Sequence, residues 1–195
     1  MHPTLPAAWA PLVNADIYVL DQILRGRIRS GMRVLDVGCG AGRNLPALLA
    51  AGCEVSGIDH QAQAIAAARE LFDSPQDQAR MVVADIEDMP FAPASFDVVI
   101  VNAVLHFAPE TTAFHRWADA CWRQLAPGGL FLARLSTRIG LPEVRPAGFT
   151  YLATEADLLA CEQRWQARRV DPLKTTLVER LRTMTTWALT TSQHP

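Results

Sequence analysis

Short apolar runs rich in β-branched residues alternate with helical patterns through residues 31–137. The strand-like runs read MRVLDV, CEVSGID, ARMVVAD, FDVVIVNA and LFLARLS. The helical segments read RNLPALLAA and QAQAIAAARELF, and a third covers residues 110–125. FDVVIVNA is apolar throughout, which is typical of a strand covered on both faces. Because helices with short connections join such strands, we predict an α/β fold with a mostly parallel sheet and helices on both faces.

The two ends of the chain follow different patterns. From residue 8 to about residue 29, apolar residues recur at helical spacing and predict a leading helix, broken near Pro11. After a loop that reads RIGLPEVRPAGF, the segment TEADLLACEQ predicts a short helix with Thr154 as its N-cap and Asp157 at its third position. The segments ARRVDPLKTTLVE and RTMTTWALTTS then predict a C-terminal antiparallel hairpin, and PGG predicts a turn before the fifth strand.

The composition excludes several classes of protein. The formal net charge is −2 over 195 residues, and no run of Lys or Arg appears, so we expect no nucleic acid partner. The four cysteines have neither metal-ligand nor CxxC spacing, so we expect no metal site and no disulfide. No stretch resembles a signal peptide or a membrane span, which favours a cytoplasmic protein without a membrane partner.

Three glycines follow the first strand at alternate positions, as Gly38, Gly40 and Gly42. In an open parallel sheet this turn lies where ligands bind, and glycine lets a ligand approach the main chain. A dinucleotide site has the spacing GxGxxG, but here the last position is Arg43. Asp36 ends the strand, where a carboxylate disfavours a pyrophosphate and favours a cationic group.

The segment VLDVGCGAGRN resembles the first motif of class I S-adenosylmethionine-dependent methyltransferases. The resemblance implies a Rossmann-like, doubly wound sheet of about seven strands whose last strand is antiparallel. It also implies S-adenosylmethionine as cofactor and S-adenosylhomocysteine as product, with the cofactor's ammonium group near Asp36. We therefore expect a single methyltransferase domain over residues 1–195. Its parts are a leading helix or lid (1–30), a cofactor-binding core (31–137), and a loop, helix and hairpin (138–195).

Further motifs extend the resemblance over residues 34–136. Asp59 ends the second strand, where the resemblance implies hydrogen bonds to both ribose hydroxyls, with His60 beside the adenosine. In ADIEDMPF, it implies that Asp85 accepts from the adenine amino group and that the Ile86 N–H meets a ring nitrogen. The implied cofactor residues are Asp36, Gly38, Cys39, Gly40, Gly42, Asn44, Asp59, His60, Asp85, Ile86, Asn102 and Leu105.

The segment SFDVVIVNAVLHF resembles the family's fourth strand and the loop after it, and LAPGGLF resembles the turn into the fifth strand. The resemblance places Asn102, Leu105 and His106 along the cofactor and the substrate entrance. His106 is then a candidate general base, and a packing role is an equal alternative.

The implied reaction is in-line methyl transfer to an acceptor, for which we expect a small molecule. The NPPY-type tetrapeptide of amino-group methylases is absent, because Asn102 is followed by AVLH. Arg138, Arg145 and Tyr151 border the loop expected to roof the pocket, so they are candidate substrate contacts. Arg134 interrupts an apolar strand, and it either pairs with an acidic side chain or holds an anionic substrate group.

The sequence leaves two other functions open. One is a non-catalytic relative that binds S-adenosylmethionine or a protein partner, and the other is an NAD-dependent oxidoreductase. The glycine spacing and Asp36 disfavour the oxidoreductase. We expect a monomer or a homodimer, and an exposed apolar stripe on the leading helix would mark a partner surface.

Overall fold

The computed structural model describes residues 7–140, 151–178 and 182–191. In this part of the chain, eight strands form one sheet in the order β3-β2-β1-β4-β5-β8-β6, and β7 also pairs with β8. Strands β1 to β5 pair in parallel, whereas β8 is antiparallel to β5, β6 and β7. The strands are β1 (Arg33–Val37), β2 (Glu54–Asp59), β3 (Met81–Val83), β4 (Phe96–Asn102), β5 (Leu125–Thr137), β6 (Arg168–Arg169), β7 (Lys174–Val178) and β8 (Arg182–Thr190). The predicted mostly parallel sheet with antiparallel C-terminal strands is confirmed.

Apart from the short α4, which the sequence pattern does not predict, the α-helices lie where that pattern places them, with differences at their ends. They are α1 (Ile17–Leu24), α2 (Leu45–Ala50), α3 (Ala62–Arg69), α4 (Pro75–Gln78), α5 (Thr111–Arg123) and α6 (Glu155–Trp165), with 3-10 helices at Ala7–Leu12 and Leu105–Phe107. The leading helix is divided, as predicted near Pro11, which lies in the first 3-10 helix. The second piece begins after Asp16, whose carboxylate accepts a hydrogen bond from the Tyr18 N–H at 2.9 Å.

Two predicted elements need correction. Pro127, Gly128 and Gly129 lie inside β5 as an irregularity, because Leu125 pairs with Phe96 and the ladder resumes at Leu130. They are therefore not a turn that precedes the strand. The predicted strand ARRVDPLKTTLVE is divided into β6 and β7, with Pro172 between them. Proline has no N–H to donate to a ladder, which accounts for the break.

Each face of the sheet carries its own apolar core. One core contains buried residues of α5 and α6, including Phe114, together with Phe131 and Trp187 of the sheet. The other contains Val19 of α1, Leu45 and Leu48 of α2, and Ile65 of α3. Both faces are thus covered, as the apolar strands predict. None of the helices within the described ranges is long and apolar enough to cross a membrane.

Candidate functional site

A cleft of about 610 Å³ lies beyond the carboxyl ends of the parallel strands. Ligands of open parallel sheets generally bind at this edge, so the position of the cleft follows the general rule. Five of the predicted site residues line this cleft, namely Gly38, Asp59, His60, Asp85 and Ile86. Residues that the sequence analysis did not select also line it: Val37, Ile58, Gln61, Ala84, Ala103, Val104, Phe107 and Trp117.

Asp59 is fixed at the rim of the cleft by backbone donors. Its Oδ2 accepts from the Gly40 N–H at 3.0 Å, and its Oδ1 accepts from the Gln61 N–H at 2.9 Å. His60 Nδ1 lies 3.5 Å from Oδ1. The carboxylate, 11% exposed, therefore ties the glycine turn to the end of β2. A carboxylate has about four acceptor positions, so both oxygens can still accept from a ligand.

At Gly38, a neighbouring side chain leaves no room for a Cβ atom. A Cβ atom built on Gly38 would lie 2.3 Å from Cγ2 of Val104, and the residue has φ +67°. Val104 follows β4, so the turn after β1 and the loop after β4 are in contact at this point. Ala103 in the same loop also has a positive φ of 62°, an uncommon conformation for alanine.

Asp36 lies beneath the turn and does not line the cleft. It is 1% exposed, and its Oδ2 accepts from Asn44 Nδ2 at 3.3 Å. Asn44 Oδ1 in turn accepts from the Asp16 N–H at 3.0 Å, so the first strand is connected to the start of α1. Burial raises the pKa of the Asp36 carboxyl to about 7, although the Asn44 hydrogen bond opposes the shift.

The other residues of the turn have structural contacts. Cys39 is buried, its Sγ lies 3.6 Å from the Gly40 carbonyl oxygen, and burial raises the pKa of its thiol. Gly40 has φ +56°, and a Cβ atom added there would have no neighbour within 4 Å, whereas a Cβ atom on Gly42 would meet Leu45 at 2.7 Å. None of these three turn residues lines the cleft.

His106 and Leu105 are buried below the cleft, at 4% and 0% exposure. His106 Nδ1 accepts from the Ser136 N–H at 3.2 Å. The neutral ring must then carry its proton on Nε2, and its only lone pair is the one that Ser136 occupies. A general-base role for His106 therefore requires the Ser136 hydrogen bond to open.

The predicted substrate contacts lie outside the cleft or outside the described residues. Arg138 is exposed, and its N–H donates to the Ala153 carbonyl at 3.0 Å. Tyr151 is half-buried against Phe114, and burial raises the pKa of its hydroxyl. Arg145 lies outside the residues that the structure describes.

Arg134 and Asn102 lie on the face of the sheet that carries Asp36. Arg134 Nη1 donates to Asp16 Oδ2 at 2.7 Å, so the pairing with an acidic side chain is present. Both side-chain amide atoms of Asn102 are buried without a hydrogen-bond partner. Neither residue lines the cleft.

The lining residues that were missed carry only weak sequence signals. Gln61 and Ala84 each lie close to a selected aspartate in sequence. Phe107 is the last residue of the NAVLHF segment, and an aromatic residue there is not distinguishable from core by pattern alone. Trp117 lies on α5, and only the packing of that helix on the sheet brings its ring to the cleft.

Comparisons with known proteins agree with this architecture. The family model described as "Methyltransferase domain" matches residues 35–133. A malonyl-[acyl-carrier protein] O-methyltransferase of Enterobacter lignolyticus is 36% identical over 59% of this chain and 43% of its own length. A ubiquinone biosynthesis O-methyltransferase of Xanthomonas euvesicatoria is 34% identical over 67% of this chain and 52% of its own length. The chain thus spans about half the length of these curated relatives.

A solved structure extends the likeness over nearly the whole fold. It is the 1,6-didemethyltoxoflavin-N1-methyltransferase of Burkholderia thailandensis, described with bound 1,6-didemethyltoxoflavin and S-adenosylhomocysteine. Its TM-score is 0.68 at 21% identity, and the match covers 95% of this chain and 79% of that one. Since the family model covers half of the sequence, this chain belongs to the methyltransferase-domain family and has the class I S-adenosylmethionine-dependent methyltransferase fold.

Proposed function

We propose that this protein transfers a methyl group from S-adenosylmethionine to an oxygen atom of a small-molecule acceptor. The observation that carries the proposal is Asp59, held by two backbone N–H groups at the rim of a cleft of about 610 Å³. The two curated relatives are named as O-methyltransferases, which supports oxygen as the methylated atom. A cytoplasmic location, the absence of nucleic acid and membrane partners, and a single domain are parts of the same proposal.

The residues that line the cleft carry the hydrogen-bonding groups that the ribose and the adenine of the cofactor require. Asp59 offers oxygens to the ribose hydroxyls, and His60 lies beside it. Asp85 and the Ile86 N–H border the same cleft and are suited to the adenine edge, with the ring of Phe107 as an apolar wall. The buried Asp36 carboxylate lies beneath the glycine turn, where an ammonium group would stabilise its charged form.

The bound cofactor supplies a methyl group on a positively charged sulfur, which is already activated for displacement. The chain then contributes alignment of the acceptor and exclusion of water. For an oxygen acceptor a proton must also leave. His106 is the predicted base, and its Nδ1 lone pair becomes available only when the Ser136 N–H releases it.

Calorimetric titration with S-adenosylmethionine, S-adenosylhomocysteine and NAD tests the cofactor assignment. We expect saturable binding of the two sulfur nucleotides alone, weakened by about 1–3 kcal/mol in Asp59→Ala because ribose hydrogen bonds are lost. Asp59→Ala also removes the acceptor of the Gly40 N–H, so Asp59→Asn, which keeps one acceptor oxygen, should show an intermediate loss. Asp73→Ala, on an exposed surface, is the matched control and should bind as the wild type does.

Either of two results contradicts the proposal. Binding of NAD in place of the sulfur nucleotides would favour the oxidoreductase alternative. A folded protein that binds none of the three would favour a partner-binding role. That role has one supporting feature, since Trp9, Val13, Ile17 and Leu24 of the leading segment are 56%, 56%, 69% and 86% exposed. The same exposed surface fits a homodimer, which sedimentation of the purified protein distinguishes from a monomer.

A further inference from the structure

Two separate parts of the chain form the wall of the cleft near Ile86. One is the turn after β3, in which the Asp88 N–H donates to the Asp85 carbonyl oxygen at 3.1 Å. Ile86 and Glu87 are the central residues of this turn. The other part is α5, whose Trp117 also lines the cleft. The shape of the cleft at this end therefore depends on how the turn is held against α5.

Glu87 joins the turn to α5 through both of its carboxylate oxygens. Its Oε1 accepts from Arg116 Nε at 2.8 Å, and its Oε2 accepts from Trp117 Nε1 at 3.1 Å. The Arg116 hydrogen bond lowers the pKa of the Glu87 carboxyl, so the carboxylate is ionised at neutral pH. Hydrogen bonds to an ionised acceptor are stronger than bonds between neutral groups. We refer to Glu87, Arg116 and Trp117 together as the clamp.

The clamp has little to contribute to the stability of the fold. The Glu87 and Arg116 side chains are 41% and 54% exposed, and an exposed ion pair contributes little to the free energy of unfolding. Trp117 is partly buried against the core that contains Phe114, so this packing does not depend on the clamp. What the Glu87 hydrogen bond adds is the orientation of the indole ring, because it fixes the direction of the N–H edge.

The position of the clamp connects it with the adenine end of the cleft. Glu87 directly follows Ile86, whose N–H is suited to the adenine edge, and it lies two residues after Asp85. Holding Glu87 against α5 therefore holds the turn that carries both adenine contacts. A turn and a ring that are fixed before the ligand arrives lose less conformational freedom on binding, which raises the affinity.

We propose that Glu87 is a positioning residue for the adenine end of the cofactor site. It holds the turn of Asp85 and Ile86 at a fixed distance from the Trp117 ring, so the space for the adenine is formed in advance. The inference rests on the proposed function, because it takes the cleft to bind S-adenosylmethionine.

Calorimetric titration with S-adenosylhomocysteine and with 5′-methylthioadenosine tests this role. The second ligand keeps the adenosine but lacks the amino acid. Glu87→Ala should weaken the binding of both ligands by the same factor, about 3- to 10-fold, because the change acts at the adenine end. Glu87→Gln keeps an oxygen that accepts from Trp117 and should recover part of the affinity. Asp88→Ala removes the same charge at the next, exposed position and should bind as the wild type does.

A double-mutant cycle with Trp117→Phe shows whether Glu87 acts through the ring. Phenylalanine keeps an aromatic ring but has no N–H. In the Trp117→Phe background, Glu87→Ala should reduce the affinity by a smaller factor than in the wild type, because one of the two hydrogen bonds is already absent. Equal factors in the two backgrounds would show that Glu87 does not act through Trp117 and would overturn the proposal.

Urea unfolding separates positioning from a structural role. Glu87→Ala and Glu87→Gln should unfold at about the wild-type midpoint, because the pair is exposed. A large loss of stability in both variants would overturn the proposal.

The two ligands also separate this inference from the proposed function. If the wild type binds both ligands and Glu87→Ala binds them equally well, the positioning role is refuted and the proposed function stands. If Glu87→Ala weakens S-adenosylhomocysteine alone, the residue acts at the amino acid end and the proposal is overturned. If the wild type binds neither ligand, the proposed function fails and the positioning role with it.

Discussion

Adding one methyl group at Gly38 and at Gly40 should have clearly different effects on stability. Both residues have positive φ, +67° and +56°, so alanine is strained at each by about 1–2 kcal/mol. At Gly40 nothing lies within 4 Å of the new Cβ. At Gly38 the new Cβ would lie 2.3 Å from Val104 Cγ2, so Val104 or the turn must move.

The magnitude follows from adding the two effects. Forcing an extra methyl group into a packed site costs about 1–3 kcal/mol. Gly40→Ala should therefore lower the free energy of unfolding by about 1–2 kcal/mol, and Gly38→Ala by about 2–5 kcal/mol. The excess at Gly38 comes from contact with one side chain, so truncating Val104 should remove it.

Urea unfolding of the two single variants, Val104→Ala and the double variant Gly38→Ala/Val104→Ala checks this reasoning. We expect a favourable coupling energy of about 1–3 kcal/mol between positions 38 and 104, and none between 40 and 104. Equal losses for Gly38→Ala and Gly40→Ala, with no coupling to Val104, would show that the glycine is required only for its backbone conformation. The contact between the two loops would then not be the reason for Gly38.

Two further predictions concern pH and helix capping. Burial raises the pKa of Asp36 to about 7, so the folded chain binds this proton more tightly than the unfolded chain does. The free energy of unfolding should then fall as pH rises from about 4 to 7, by at most about 4 kcal/mol. Urea unfolding at pH 5 and pH 7.5 should show that Asp36→Asn removes this pH dependence. An equal change of the unfolding free energy with pH in the variant would contradict the prediction. In α6, Thr154 and Asp157 form the predicted capping box, so Thr154→Ala should cost about 1 kcal/mol in the same assay, and a neutral result would contradict the capping role.

The sequence allowed most of the fold to be predicted because its local signals agree with one another. The apolar runs of β1, β2 and β4 are bounded by turns, and each helix between them begins or ends at a recognisable residue. The strand predictions were wrong where the structure of a segment depends on the strand with which it pairs. Whether Pro127 to Gly129 form a turn or an irregularity inside β5 depends on the register with β4, which no local pattern records.

The candidate site was only partly predictable, for a related reason. Gly38, Asp59 and Asp85 end or follow strands, so strand order alone places them at one edge of the sheet. Trp117 reaches the cleft through the packing of α5, which the helical pattern does not specify. The hydrogen bond that limits His106 comes from the Ser136 N–H on β5, thirty residues away in the sequence.

The hydrogen-bond contacts of the residues near the proposed site differ between the two sides of β4. Asp59, on the β2 side of the cleft, is held by two backbone N–H groups and keeps acceptor positions for a ligand, so this part of the proposed cofactor site is formed in advance. Arg134, on the other side, is paired with Asp16 at 2.7 Å, so its charge is compensated within the chain. Asp16 is also the N-cap of α1. The hydrogen bonds of the chain therefore orient the proposed acceptor of the ribose hydroxyls on one side of β4, whereas on the other side they join α1 to the sheet.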